Sequence, residues 1–394
     1  MKKLTILFVL FFVVQYVSAE KVERILTEAS SVQIALSINP DILIHLQNVE
    51  YEEQRAKESR ALYFPNLDLN FNMVKFNNRV PMVMLTEPSQ FQVYLPNAKK
   101  ELYYSTRFSI WQNIYSGGRI RYTNKLAKIN INKVKNEGNI IRNNVLTNVK
   151  LTFNNCLHYK DLLSYYHSEI LKAEQKKIHL THVELKDLER KSIREQLNYK
   201  NEVLNLLNAI GMELNTIVNV SGTLQPKIKN FDLDKCLLLA YQFQSEIKAT
   251  QQQEIFDGLM LNLISMQRLP NISIGAAYEL VGEKEIIIGD ENNWYVAINI
   301  NIPIFDGGSA FARVKQGKIK IRESAIKRAK VEDEIRLNVS KLFFEYDFWK
   351  KQAINNKLPE KNGQYNDIDI DIVYNLNKSY YNLEFAVGVD LAFY

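Results

Sequence analysis

The sequence predicts an α+β membrane protein built from two structural repeats, with short strands entering a shared β-barrel and long helices packed as a coiled coil. Three observations predict it. The same series of marks occurs twice along the 394 residues. Four segments of about ten residues alternate apolar and polar side chains, the length and period of a tilted membrane-crossing strand. A proline-free stretch from Arg119 to about Lys176 has helical spacing throughout. As one helix it would be about 87 Å long, which demands lengthwise packing on partners.

The repeats are read from their marks. Ala35-Leu36-Ser37-Ile38-Asn39-Pro40 opens a helical stretch to Tyr63, followed by Phe64-Pro65-Asn66-Leu67 and, later, Tyr115-Ser116-Gly117-Gly118-Arg119. In the second half Ala240-Tyr241 opens a helical stretch, followed by Leu269-Pro270-Asn271-Ile272 and Ile302-Pro303-Ile304-Phe305-Asp306-Gly307-Gly308. Ala35 to Ala240 and Pro65 to Pro270 share one offset, while the Gly-Gly pairs lie closer together, so repeat one is longer between its marks. The expected organisation is an export signal over 1–19, repeat one over 20–214 and repeat two over 215–394. Repeat one carries strands at about 65–76 and 105–115, and repeat two at about 270–281 and 293–305, each ahead of a long helical hairpin.

Within the strands, Leu67, Leu69, Phe71 and Met73 share a face opposite Asp68, Asn70 and Asn72. Phe108, Ile110 and Ile114 line up in the next strand. Ile272, Ile274, Ala276 and Tyr278 alternate with polar or small residues, and Trp294, Val296, Ile298, Ile300, Ile302 and Ile304 form the clearest row. A half-buried strand of a soluble sheet has the same period, so no single strand decides between the two environments.

Pro65 and Pro270 mark helix-to-strand turns. Gly117-Gly118 and Gly307-Gly308 mark the barrel-to-tunnel turns, where a strand bends sharply into a helix and glycine supplies positive φ without steric cost. Phosphate binding at the second pair is excluded by spacing, because a P-loop needs G-x-x-x-x-G-K-[ST]. After Gly118, Tyr122, Leu126, Ile129, Val134, Ile141, Val145 and Val149 step mostly by three, four or seven. A second helix, about Val183 to Ile210, ends at Gly211, a C-cap signal. Repeat two follows with about Ser309 to Asn356, a break at Pro359 to Gly363, and a shorter helix near Asn375 to Phe393.

Composition narrows the functional classes. Fifty Lys+Arg against 44 Asp+Glu give a formal charge of +6 with no basic block, which argues against nucleic-acid binding. Mean hydropathy is −0.24, and past the N-terminus no apolar run reaches the length of a membrane-spanning helix. A β-barrel stays open, since alternating strands barely move average hydropathy. Lys2 and Lys3, the apolar Leu4 to Val14, and Val17-Ser18-Ala19 before Glu20 read as a cleaved export signal. Cys156 and Cys236 are too few for a disulfide framework.

Four strands per chain cannot close a barrel, and each unpaired backbone group in hydrocarbon costs several kcal/mol. The smallest barrels need about eight strands, so chains must share one: eight strands for a dimer or twelve for a trimer.

The duplicated order of helix, Pro-Asn strand, strand, Gly-Gly and long helix resembles the outer membrane efflux protein (TolC) family over nearly the whole chain from Glu20. That resemblance implies a homotrimer with a twelve-stranded barrel in outer-membrane lipid, continuous with a periplasmic α-helical coiled-coil tunnel. It implies docking to a periplasmic adaptor and an inner-membrane pump of RND or ABC type, in drug or metal efflux or type I secretion. Repeat two departs from the pattern with Gln244-Ser245 where repeat one has Asn39-Pro40. The competing reading is a periplasmic coiled-coil adaptor without its own barrel.

No catalytic constellation is present, no cofactor is expected, and the chain does not read as an enzyme. His179-x-x-His182 with Glu184 is weak against known metal-ligand patterns and reads as a solvated hairpin tip. One charged feature stands out: Asn366-Asp367-Ile368-Asp369-Ile370-Asp371, where the last long helix should turn back. The resemblance implies an acidic constriction there, formed by Asp367, Asp369 and Asp371, with Asp369 the best match. Threefold symmetry would gather the carboxylates, oppose anions and favour cations.

Overall fold

The computed structural model describes residues 24–75, 83–84, 93–94, 102–176, 182–282, 291–356, 358 and 365–391. The expected export signal, His179, most of the loop from Asn77 to Tyr103, and the Pro359 and Gly363 break lie outside the described residues.

In chain order the elements are β1 (Arg24–Leu26), α1 (Glu28–Ile38), α2 (Pro40–Ala61), β2 (Asn66–Lys75), β3 (Val83–Met84), β4 (Val93–Tyr94), β5 (Leu102–Tyr115) and α3 (Arg119–Lys176). They continue with α4 (His182–Ile210), β6 (Val218–Val220), α5 (Leu233–Phe243), α6 (Ser245–Ser265) and a 3₁₀ turn (Met266–Arg268). The last are β7 (Asn271–Gly282), β8 (Glu291–Asn301), α7 (Ser309–Asn355) and α8 (Asp367–Val387). The chain divides into two compact units, the first of residues 1–44, 141–243 and 336–394, the second of residues 45–140 and 244–335.

The first unit holds most of the apolar core. Leu26, Val149, Leu206, Leu207, Ile210, Val220, Tyr346, Leu376, Leu383 and Leu391 are fully buried. β1 pairs in parallel with β6, a pairing with no signal in three-residue strands. Thr27 caps α1 and Ser30 returns to the Thr27 amide, satisfying donors that the first helical turn leaves free. The expected helix through Ala35 is broken between α1 and α2, because the residue before Pro40 is pushed out of the α region: Asn39 sits at φ −61°, ψ 128°. Asn39 accepts from the Asp41 amide (2.9 Å) and donates Nδ2 to the Ala209 carbonyl (2.9 Å). Gly211 closes α4 at φ +89°, and a Cβ there would stand 2.7 Å from Pro40 Cδ. The Asn39-Pro40 mark is thus a packing lock against the end of α4. In its place Gln244 precedes α6 without a side-chain cap.

The last helix differs from expectation. α8 starts at Asp367, not near Asn375, and closes at Gly388 in the left-handed region. Asp-Ile-Asp-Ile-Asp-Ile alternates with a period of two, which hides a helix buried on many sides (Ile370, Ile372, Val373, Leu376, Tyr380 and Leu383 among them).

The second unit contains the four-stranded sheet, in order β2-β5-β7-β8, with every neighbouring pair antiparallel. Register places Leu69, Phe108, Tyr278 and Trp294 along one rung, and Leu67, Ile110, Ala276 and Val296 along the next. A bulge between Asn113 and Tyr115 shifts β5 against β7. β8 stops at Asn301, short of the Ile302 and Ile304 that continue its alternation, because Pro303 lacks the N–H a ladder needs. The helices of this unit bury few apolar side chains: Ala56, Leu126, Ile247, Ala310 and Ile335. Polar links join them instead. Asp257 accepts from Ser324 Oγ and from Gln253 Nε2 (3.0 Å), and Gln253 Oε1 accepts from Lys133 Nζ (3.0 Å). Asn124 Nδ2 donates to the Ser59 carbonyl (2.9 Å).

Candidate functional site

The sheet is the first candidate surface, and its polarity is inverted. A soluble sheet covers its apolar face and wets the other. Here Leu69 is 72%, Trp294 71% and Ile298 67% exposed, with Leu67, Phe71, Met73, Phe108, Val296 and Ile300 exposed beside them. On the opposite face Ser105, Ser109, Ala277 and Glu279 are buried. Arg107 and Glu279 are register partners there, joined at 3.1 Å with side chains 14% and 11% exposed. Two rungs away Trp111 lies over Gly275, where a Cβ would stand 2.3 Å from the indole. Sequence reading missed both contacts, since each links residues more than 160 positions apart and only register brings them together.

The turns come next. Gly117 and Gly118 have φ +61° and +82°, and Gly307 and Gly308 +67° and +83°, so both pairs make the same left-handed bend. A Cβ on Gly117 would stand 2.5 Å from Leu269 Cβ, whereas a Cβ on Gly307 or Gly308 would meet nothing within 4 Å. After each bend the helix is capped from the residue before the glycines. Ser116 Oγ accepts from the Ile120 amide (3.4 Å), and Asp306 Oδ2 accepts from the Ala310 amide (2.7 Å) and Arg313 Nη2 (3.2 Å). The Ser and Asp ahead of the glycines were the available signal for these caps. Pro65 and Pro270 immediately precede β2 and β7. The chain before them closes by short hydrogen bonds, Phe64 N to Ala61 O (2.9 Å) and Leu269 N to Met266 O (3.0 Å).

The acidic segment does not form one carboxylate cluster within the chain. Asn366 caps α8 and accepts from the Asp369 amide (2.8 Å), while Asp369 Oδ2 accepts from the Asn366 amide (3.3 Å). Asp369 is therefore engaged as a capping-box residue. Asp367 and Asp371 lie one turn apart on a shared helix face. Partial burial, then the charges of Asp367 and Glu195, raise the Asp371 pKa. Asp371 stands 3.5 Å from His158 Nε2. Burial lowers the His158 pKa to about 4, so the imidazole is neutral at pH 7 and the contact is not an ion pair. The imidazole stacks on Tyr374 at 4.2 Å, and its Nδ1 has no hydrogen-bond partner.

Cys156 and Cys236 are both buried free thiols. His182 opens α4, and among the described residues no group of three His, Cys, Asp or Glu side chains is placed to hold a metal. No described helix is long and apolar enough to cross a membrane.

The sequence matches no protein-family model and no curated protein. Its structure is similar to solved structures. A membrane protein from Pseudomonas aeruginosa superposes with a TM-score of 0.70 at 13% identity, covering 92% of both chains. The open state of the Neisseria gonorrhoeae MtrE outer membrane channel gives 0.69 at 12% identity, covering 92% of this chain and 89% of that one. The Campylobacter jejuni CmeC outer membrane channel gives 0.63 at 16% identity, covering 93% and 90%. With nine-tenths of each chain aligned at such identities, the likeness is one of architecture, and this chain has the fold of outer-membrane channel proteins.

Proposed function

We propose that this protein is the outer-membrane exit duct of a tripartite efflux or type I secretion system. It would receive substrates from a periplasmic adaptor and an inner-membrane pump of RND or ABC type and pass them outward without making or breaking a bond. The inverted sheet carries the reading. Strands of ten to fourteen residues are about 33–46 Å long, and tilted by about 40° they span the roughly 25 Å apolar band of an outer-membrane barrel. Their exposed face then meets lipid and their polar face meets water. An adaptor working in the aqueous periplasm would have to cover Leu69, Trp294 and Ile298, and among the described residues nothing covers them.

The trimer belongs to the same proposal. β2 and β8 are the outer strands of the sheet, and pairing β8 of one copy with β2 of the next removes both edges. Three copies give twelve strands. α7 supports this independently. Its buried positions, Ala310, Ser324, Ile335, Val339, Tyr346 and Ala353, lie on one side. Ile319, Ile326, Leu337, Phe344 and Phe348 are exposed, and at 100° per residue they lie about 180° away. A helix with two opposite contact faces is a stave of a helical tunnel, one face served within the chain and the other by a neighbour. The two repeats, 20–214 and 215–394, each supply one strand pair and one hairpin. Asp367, Asp369 and Asp371 are the proposed constriction at its entrance, with Asp369 also capping α8.

Fractionation tests the function. The protein should be recovered from outer membranes as a heat-modifiable trimer that conducts ions in planar bilayers. A soluble, non-conducting monomer would sink the reading.

A further inference from the structure

Charge selection inside the strand-lined part of the duct is legible in the strand register, given the duct reading. Register lays Asn70, Arg107, Glu279 and Asn293 in one rung across all four strands, on the face opposite the exposed apolar one. If lipid covers the apolar face, this rung faces the passage. Among the described strand residues of the polar face, Arg107 is the one cation, while Asp68, Glu279 and, by register, Glu291 are acidic. Asp68 sits opposite Ser109, diagonally next to Arg107, and is exposed. Arg107 spends its charge on Glu279 through Nη2 alone, and its Nε is buried without a hydrogen-bond partner.

An ion pair with an unpaired donor is a poor stabilising device, because desolvating both charges offsets their attraction and an uncharged pair of similar size packs at least as well. Small residues flank it, Ser105 and Ser109 on β5 and Ala277 on β7, so neither strand needs the pair for packing. Its consequence is electrostatic: the one positive charge among the described strand residues of this face is cancelled where β5 meets β7.

We propose that the Arg107–Glu279 pair is a charge-selectivity element of the duct, fixing how far the carboxylates of its strand-lined section outweigh its cation while both partners are present. With Glu279 neutralised, Arg107 offsets the remaining carboxylates and the wall favours cations less. With Arg107 neutralised, Glu279 and Asp68 favour cations. Three copies at one level multiply either effect, since fixed rings of charge set which ions pass.

The test is the reversal potential of the full-length protein in planar bilayers under a potassium chloride gradient. Arg107→Gln should shift it toward potassium permeability and Glu279→Gln toward chloride, and the double variant should return close to wild type. Single variants that conduct with an unchanged reversal potential, or that shift it in the same direction, overturn the proposal. Should the Gln variants fail to insert, Arg107→Ala and Glu279→Ala take their place; if none inserts, the pair is a folding latch and the selectivity role is refuted. Wild-type protein that forms no channel at all would strike the duct reading itself, a separate result from unchanged selectivity in conducting variants.

Discussion

At the scale of single residues, the tandem glycines are equivalent in conformation and unequal in surroundings. Gly117 and Gly307 both sit near φ +60°, where a Cβ costs about 1–2 kcal/mol. Gly117 alone would also drive a Cβ to 2.5 Å from Leu269. Gly117→Ala should therefore lower the melting temperature of the detergent-solubilised protein more than Gly307→Ala; equal shifts would mean that Leu269 yields freely. His158 gives a pH prediction. Its folded pKa, about 4, lies below the ordinary 6.5 because burial disfavours the charged form. The unfolded chain then binds more protons between these values, so stability falls as pH drops from 6.5 toward 4, by up to about 3 kcal/mol. Melting followed across that window should show this slope, and His158→Phe should flatten it. A slope unchanged in the variant would assign it to other groups.

At the scale of elements, the strands and α8 show opposite failures of periodicity. The alternation in β2, β5, β7 and β8 was plain, yet alternation alone assigns no environment to a face. Register and exposure settle which side is uncovered: Ile298 is exposed among like residues, and its neighbour Asn299 points to the other face. Ile298→Arg should cost about 2–4 kcal/mol if the residue lies near the bilayer midplane and deplete the heat-modifiable form in outer membranes. Asn299→Arg should be tolerated, and equal losses from both would refute a lipid-facing Ile298. In α8 a period of two arose in a helix, because Asp367 and Asp369 sit in its first turn while Ile370 and Ile372, about 200° apart around the axis, are both buried. Asn366 with Asp369 was a legible start signal for a helix that begins eight residues ahead of the start the sequence suggested.

At the scale of the whole molecule, the chain leaves surfaces that a single copy does not satisfy. The outer strands β2 and β8 and the exposed row Ile319, Ile326, Leu337, Phe344 and Phe348 on α7 are the main ones. The helices of the second unit bury few apolar side chains among the described residues, and packing rather than propensity stabilises most helices, so the proposed trimer predicts that neighbouring copies supply much of their stability. Leu337→Asp with Phe344→Asp should remove the heat-resistant trimer band, whereas Asn338→Asp, off the row, should leave it. A trimer that survives the double substitution would show that this row is not the seam.

Local chemistry was readable from the amino-acid sequence. Alternating runs, a proline-free helix from Arg119 to Lys176, and paired Pro-Asn and Gly-Gly marks report backbone preference over a few residues, and that information is local. It also carried the resemblance that pointed to a channel fold. The tertiary structure decided everything that depends on distant residues meeting. It separated α1 from α2 at an Asn39 bonded to Ala209, paired β1 with β6, drew Asp369 into a helix cap, and set Arg107 opposite Glu279. Above all, it left the apolar face of the sheet uncovered, because which side of a strand is buried depends on what the rest of the chain brings to it, and here the described residues bring nothing.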